Sequence, residues 1–163
     1  MEQNGMYYIT DELKEIIRSV GGKWNDKKKR PVVCLIPSSE NKNLYWAIPV
    51  GKVNHRDEAA INRINSYINR DRRDIRSCFY HIGRTTNKSI FFITDVIPIT
   101  SKYILEEHLG SNLKHFIIKN PNLIRDLNYK LRRILKFESE KPNYFRQHIT
   151  DTKNYLLNEL NIE

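Results

Sequence analysis

Cysteine is nearly absent: Cys34 and Cys78 are the only two in 163 residues. Each lies inside an apolar or aromatic run, which excludes a disulfide-stapled scaffold and marks both as buried free thiols. Metal-ligand spacing is also missing, because His55, His81, His108, His115 and His148 form no ligand pair, so no metal or other cofactor is expected. There is no Walker loop, no dinucleotide fingerprint and no serine-centred nucleophile motif. The stretch SVGGKW has glycines and a lysine without the P-loop spacing, which argues against nucleotide hydrolysis. No apolar run approaches a membrane span and no basic-then-apolar leader opens the chain, so a cytoplasmic location is expected.

Acidic residues are the minority, 19 Asp and Glu against 28 Lys and Arg, for a formal charge of +9 and a pI near 9.6. That balance predicts an anionic partner, nucleic acid first, over the plain alternative of a solvated basic surface. The length suits one domain over residues 1–163, burying roughly 68–70% of the unfolded chain's surface. No repeat, low-complexity tract or interdomain linker divides it.

The pattern along the chain is α+β. YYIT reads as a short extended piece, and Thr10 caps a helix with Leu13, Ile16, Ile17 and Val20 on one face, ended by Gly21 and Gly22. The loop KWNDKKKR leads into PVVCLIP, a strand that SSENKN turns into a second strand, LYWAIPV. Helical spacing runs from Asp57 to Asp74, with Arg63, Arg70, Arg72 and Arg73 opposite the apolar face. SCFYHI and SIFFITDVIPI are two further strands joined by GRTTNK. The remainder reads as helical: SKYILEEHL, a short piece around LKHFII, a long helix capped by Asn120 with Pro121 at its first position, and a last helix over NYFRQHITDTKNYLLNEL after Pro142.

The chemistry gathers at one hairpin. In an antiparallel pair, the entrance of the first strand lies beside the exit of the second, which brings Lys29 and Arg30 next to Lys52 and His55. Metal-independent RNA cleavage needs an activated 2′-hydroxyl, a stabilised phosphorane and a protonated leaving oxygen. His55 reads either as a surface loop histidine or as the proton-transfer group, and Lys52 and Arg30 are the cations for the phosphate. Gly51 lets the backbone approach it. Lys27, Lys28 and Lys29 read as phosphate contacts more readily than as a solvated charge run. Asn54, Arg56, Arg84 and Lys88 are further RNA-contact candidates, and Tyr8 and Trp24 could stack unpaired bases or belong to the core, as could Tyr7 and Tyr45. His81, inside a strand, reads as half-buried and structural.

MYYIT, KKKRPVVCL, YWAIPV, SCF, FFITDVIPI and LIRDLNYKLRRIL, in that order across nearly the whole chain, resemble the endoribonuclease toxins of type III toxin-antitoxin systems, the ToxN/AbiQ/CptN family, with the CptN branch nearest. The resemblance implies a MazF/Kid-like fold, a twisted, barrel-like antiparallel sheet surrounded by helices. It further implies metal-independent cleavage to a 2′,3′-cyclic phosphate and a 5′-hydroxyl. The partners it implies are cellular or phage RNA substrates and a small pseudoknotted RNA antitoxin, cut from a repeated precursor and assembled with the toxin head to tail in a closed ring. The family's basic residue at the first long strand falls on Arg30, with Lys29 as the alternative. Pro49 and Val50 match the end of the second strand, whereas Gly51 and Lys52 stand where the family has adjacent hydroxyl residues; Lys52 and His55 would replace them. A non-catalytic RNA-binding module and a MazF-like ribonuclease with a protein antitoxin are the competing readings. A DNA-binding regulator ranks below them, since no helix-turn-helix is evident.

Overall fold

In the computed structural model, which describes residues 1–25 and 29–162, the central element is β3 (Tyr45–Lys52), and its sequence explains how its neighbours are arranged. Its partner β2 (Val32–Pro37) runs antiparallel with Val32 opposite Pro49 and Cys34 opposite Ala47. This is the hairpin read from the sequence. The Val50 amide donates to the Pro31 carbonyl at 2.9 Å, so Val50 faces β2 and the N–H-less Pro49 faces the other edge. On that edge the run SIFFITDVIPI is not one strand. It forms β5 (Lys88–Phe92) against Val50–Lys52 and β6 (Ile97–Ile99) against Tyr45–Ala47, with a 3-10 turn, Ile93–Asp95, between them. The ladder breaks where β3 has no donor to give.

The remaining strands extend this unit in both directions. β1 (Gly5–Ile9) pairs with β2 and with β7 (Ile104–Glu107), and β4 (Tyr80–Arg84) pairs with β5, giving the order β4-β5-β3-β2-β1-β7 with β6 also on β3. The chain is thus α+β with a seven-stranded antiparallel sheet. The barrel-like closure expected from the resemblance does not occur, because the edge strands β4 and β7 are not paired with each other among the described residues. Both edges carry charge, Arg84 on one and Glu106 and Glu107 on the other, which discourages pairing with another chain.

The segment SKYILEEHL corrects a second expectation. Instead of a helix it forms a 3-10 turn, Ser101–Tyr103, and the strand β7 (Ile104–Glu107), with Tyr7 opposite Glu107 and Tyr8 opposite Glu106. Leu and Glu favour helix only weakly, and the open edge of β1 offers a ladder of hydrogen bonds that outweighs the preference. LKHFII is likewise not helical: it folds back through bridges Leu109–His115 and Gly5–Ile117, with Leu113 at a φ of 61°. SCF is a 3-10 turn, Ile75–Cys78, ahead of β4.

Helices cover both faces. Alternation along the strands sends Met6, Val33, Ile48, Val50 and Phe91 to one face, under Leu127, Leu131 and Ile134 of α3 (Pro121–Glu140). Tyr7, Val32, Cys34 and Ala47 go to the other, against Leu13 and Ile17 of α1 (Asp11–Ser19) and Leu156 of α4 (Ile149–Ile162). Each such aliphatic side chain contributes about 1.5–3 kcal/mol on full burial. The expected caps are present, with Thr10 accepting from the Leu13 amide at 3.4 Å and Asn120 from the Asn122 amide at 2.9 Å. Gly21, at a φ of 91°, follows α1 in the left-handed region that glycine tolerates. Cys34 and Cys78 are buried free thiols.

Two helix boundaries differ from the periodicity. α2 (Glu58–Ile68) stops before Arg70, Arg72 and Arg73 because the Asp71 and Asp74 carboxylates take the amides of Arg73 and Arg76, a local alternative to the helix. α4 begins only at Ile149, since Asn143 and His148 have φ values of 60° and 50°. Among the described residues no helix is long and apolar enough to cross a membrane.

His81 sits in β4 with a side chain 17% exposed, as its position in a strand predicts. Burial first, then the Lys130 ammonium, push its pKa down to about 4, against the opposing pull of Asp126. The folded value lies below the ordinary 6.5, so the neutral form stabilises the fold fully above pH 6.5, and this stability is lost as pH falls through about 4. His81→Phe should therefore lose less stability than the parent between pH 7 and pH 4, by about 3 kcal/mol, in urea titrations. Equal losses in the two proteins would exclude His81 as the source.

Candidate active site

The hairpin places its charged ends as the antiparallel register requires. A cavity of about 280 Å³ is lined by Lys29, Arg30, Gly51, Lys52 and His55, together with Tyr8 from β1. Five positions read from strand ends and one aromatic thus converge in a single concave site. Lys27 and Lys28 lie outside the described residues.

Arg30 is the best-fixed cation. Its guanidinium stands 4.8 Å from the centre of the Phe92 ring and 3.9 Å from an Asp95 carboxylate oxygen, with side chains only 16% and 14% exposed. Burial pushes its pKa below the ordinary arginine value, opposed by Asp95 and helped by Arg56 and Arg146; an arginine stays charged under such a shift. Lys29 is held more loosely, with Nζ 4.7 Å over the Tyr8 ring and 3.1 Å from a Glu106 oxygen. Lys52 closes β3 opposite Ser89 of β5 and has an exposed side chain.

Gly51 has a geometric reason to lack a side chain. A Cβ there would stand 3.0 Å from Phe92 Cε2 and 3.4 Å from Arg56 Nη2. The ring that supports Arg30 occupies that space, and Arg56 stacks on the same ring at 5.1 Å. His55 is exposed at the end of the 3-10 turn Val53–His55, while the next residue, Arg56, lines a different cavity.

Sequence reasoning missed His108, Thr85, Thr86 and Ser89, all on the wall of the same cavity. His108 was hidden because its segment reads as helix; paired with β1 it meets Tyr8, whose hydroxyl lies 3.0 Å from His108 Nδ1. Burial first, then the Lys52 ammonium, then His115, hold His108 below its ordinary 6.5, so its neutral, proton-accepting form prevails at neutral pH. The threonines come from the β4–β5 turn, where Thr85 and Ser89 share a hydrogen bond of 2.8 Å. The signal available in the sequence was the pair of hydroxyls in GRTTNK, at a hairpin end level with Lys52.

The other candidates are spread more widely. Arg84 and Lys88 face each other across the β4–β5 hairpin, beyond the cavity lining, and Asn54 is exposed beside it. Trp24 packs against the α1 side of the core and lines a narrow gap of about 20 Å³ with Tyr8, Asn25, Lys29, Arg30 and Pro49. His81 lies in a separate cavity with Arg72, Asp126 and Lys130. Among the described residues no group of three or more His, Cys, Asp and Glu side chains is placed to hold a metal ion.

Chemically, the site offers a neutral imidazole with a phenol partner, an exposed second imidazole, two strand-end lysines and a fixed guanidinium. Neither a protein-family model nor a curated protein sequence matches this chain.

If Lys52 helps to depress His108, removing its charge must raise the imidazole pKa. Lys52→Ala should move the His108 titration upward, toward 6.5 but not past it, because burial remains; the ring proton shifts in NMR spectra measure it. An unchanged or lowered value would separate the two groups.

Proposed function

We propose that this chain is a metal-independent endoribonuclease toxin of the ToxN/AbiQ/CptN type, with a core of the MazF/Kid kind. The observation that carries this reading is the convergence of Lys29, Arg30, Lys52, His55, Tyr8 and His108 on one cavity. Cleavage by transesterification needs no bound ion to be written in balance. The ribose 2′-oxygen attacks the adjacent phosphorus as its proton passes to the Tyr8–His108 pair, whose imidazole is held neutral. Lys52 and Arg30 stabilise the extra negative charge of the phosphorane. The P–O5′ bond breaks, and the leaving oxygen takes a proton from His55 in its cationic form. The products are a 2′,3′-cyclic phosphate and a 5′-hydroxyl.

The same basic groove would receive a pseudoknotted RNA antitoxin, so inhibitor and substrate would compete for one surface in a closed toxin–RNA ring. Thr85 and Thr86, from the neighbouring hairpin, bring hydroxyls to the cavity that Gly51 and Lys52 do not supply in β3. That absence from β3 favours one second reading, a non-catalytic RNA-binding module on the same groove.

Purified, RNA-stripped protein incubated with single-stranded RNA in EDTA should give fragments with cyclic phosphate ends. Lys52→Ala and His108→Ala should each slow the reaction by about 10²-fold or more. The acid limb of kcat/KM, which reports the free enzyme, should fall below pH 6.5, since the accepting imidazole is depressed. Intact RNA that still binds in a salt-dependent way would replace this reading with the binding module.

A further inference from the structure

We infer that the cavity on the far side of Arg30 is a second nucleotide subsite, which takes the phosphate and base next to those held in the Lys52 cavity; this rests on the ribonuclease reading above. The cavity measures about 500 Å³, larger than the first, and its wall includes Arg30, Arg56, Arg146, Tyr80, Tyr144 and Gln147. Among the described residues its only acid is Asp95, so three guanidiniums face one carboxylate there and leave a positive excess on the described wall. Arg146 Nη2 lies 3.3 and 3.2 Å from the two Asp95 oxygens, which orients its fork, and Arg30 shares the same carboxylate at 3.9 Å, so one negative charge is divided among the guanidiniums.

Among the described residues, two polar groups on this wall find no partner. Arg56 Nε is buried and unbonded, and Gln147, whose amide nitrogen donates to the Thr94 and Val96 carbonyls, has a buried Oε1 with no partner. Unsatisfied buried groups are uncommon, and a site awaiting a polar ligand is one explanation for them. The aromatic component is equally suited to a nucleotide. Tyr144 is 59% exposed, stands nearly perpendicular to the Phe137 and Phe145 rings and has Lys141 Nζ 5.9 Å from its ring centre, an exposed aromatic beside a cation that suits a stacked base.

The two cavities form one track. Arg30 lines both, the consecutive residues His55 and Arg56 serve one each, and the narrow gap between them shares Tyr8, Lys29 and Arg30 with the first and Asn25 and Arg30 with the second. A single strand laid along this track would put successive phosphates on either side of the Arg30 guanidinium. Phosphate contacts of this kind set register, so the second subsite would hold the strand while the first cuts it.

The test compares the parent, Arg146→Ala, Tyr144→Ala and Lys52→Ala on a pool of ribodinucleotides and on a random single-stranded oligoribonucleotide, with 2′-O-methyl versions for binding by fluorescence anisotropy. Arg146 and Tyr144 are surface-exposed, and circular dichroism checks that both variants fold. Both should lower oligonucleotide affinity and kcat/KM roughly tenfold while leaving dinucleotide cleavage unchanged, whereas Lys52→Ala should slow cleavage of both substrates. Oligonucleotide affinity equal to the parent's in both variants would overturn the subsite. So would equal losses on dinucleotide and oligonucleotide, which would make Arg146 a support for Arg30 alone. If the parent cuts nothing but the variants still lose oligonucleotide affinity, the subsite stands and the ribonuclease reading falls.

Discussion

Pairing along both edges of β3 is the constraint on which the rest of this molecule depends. One edge is continuous with β2, and the other is interrupted at Pro49, where the missing donor coincides with the turn that carries Asp95. That interruption is productive. It lifts Asp95 out of the ladder and toward Arg30, while the resumed pairing on each side keeps Phe92 and Ile97 in the core. A proline that costs the sheet one hydrogen bond therefore fixes the acid that steadies its central cation. The ring of Phe92, lodged over a residue with no side chain, completes the support from below.

The site combines two kinds of cation. Arg30 lies between an aromatic face and a carboxylate in a partly dry setting, where cation–π attraction is worth up to about 2 kcal/mol. Lys52 and Lys29 are exposed point charges on long stems, and the Lys29–Glu106 pair is of the surface type worth about 0–1 kcal/mol. A planar fork suits bidentate contact with a phosphate, and point charges on flexible stems suit a developing charge whose position changes during reaction. The rigid group is at the middle of the track and the flexible groups are at its wall, which is the order expected if one positions the strand and the others respond to it.

Much of this was legible in the sequence because the relevant contacts are local. A short turn between two apolar runs fixes an antiparallel hairpin, and that alone brings Lys29 and Arg30 to Lys52 and His55. The caps at Thr10 and Asn120 were legible for the same reason, since a cap is read within four residues. What was not legible depends on partners distant in the chain. Whether SKYILEEHL is helix or strand is decided by the free edge of β1, about a hundred residues earlier, and His108 went unrecognised with it. The premature end of α2 is different: Asp71 and Asp74 were visible, but apolar periodicity gives no weight to carboxylates that compete for backbone amides.

The open sheet follows from the same edge. Had β7 paired with β4 the ladder would have closed, and the segment after Glu107 would have continued along a barrel wall. Instead the chain leaves β7 at once: the His108 amide donates to Met6 and its ring turns to the Tyr8 hydroxyl, two residues along the same face of β1. His108 is thus held by one strand through both its backbone amide and its ring, and β1 is itself locked to β2, whose entrance is Arg30. The proton-accepting group and the fixed cation therefore hang from adjacent strands of a rigid sheet, with Lys52 on the next. Three neighbouring strands present three different chemistries at their ends, and the spacing of those groups is set by the separation of strands in a ladder, about 4.8 Å each. Loops alone would leave these distances free to vary; strand ends fix them before any ligand arrives, which lowers the ordering cost of binding.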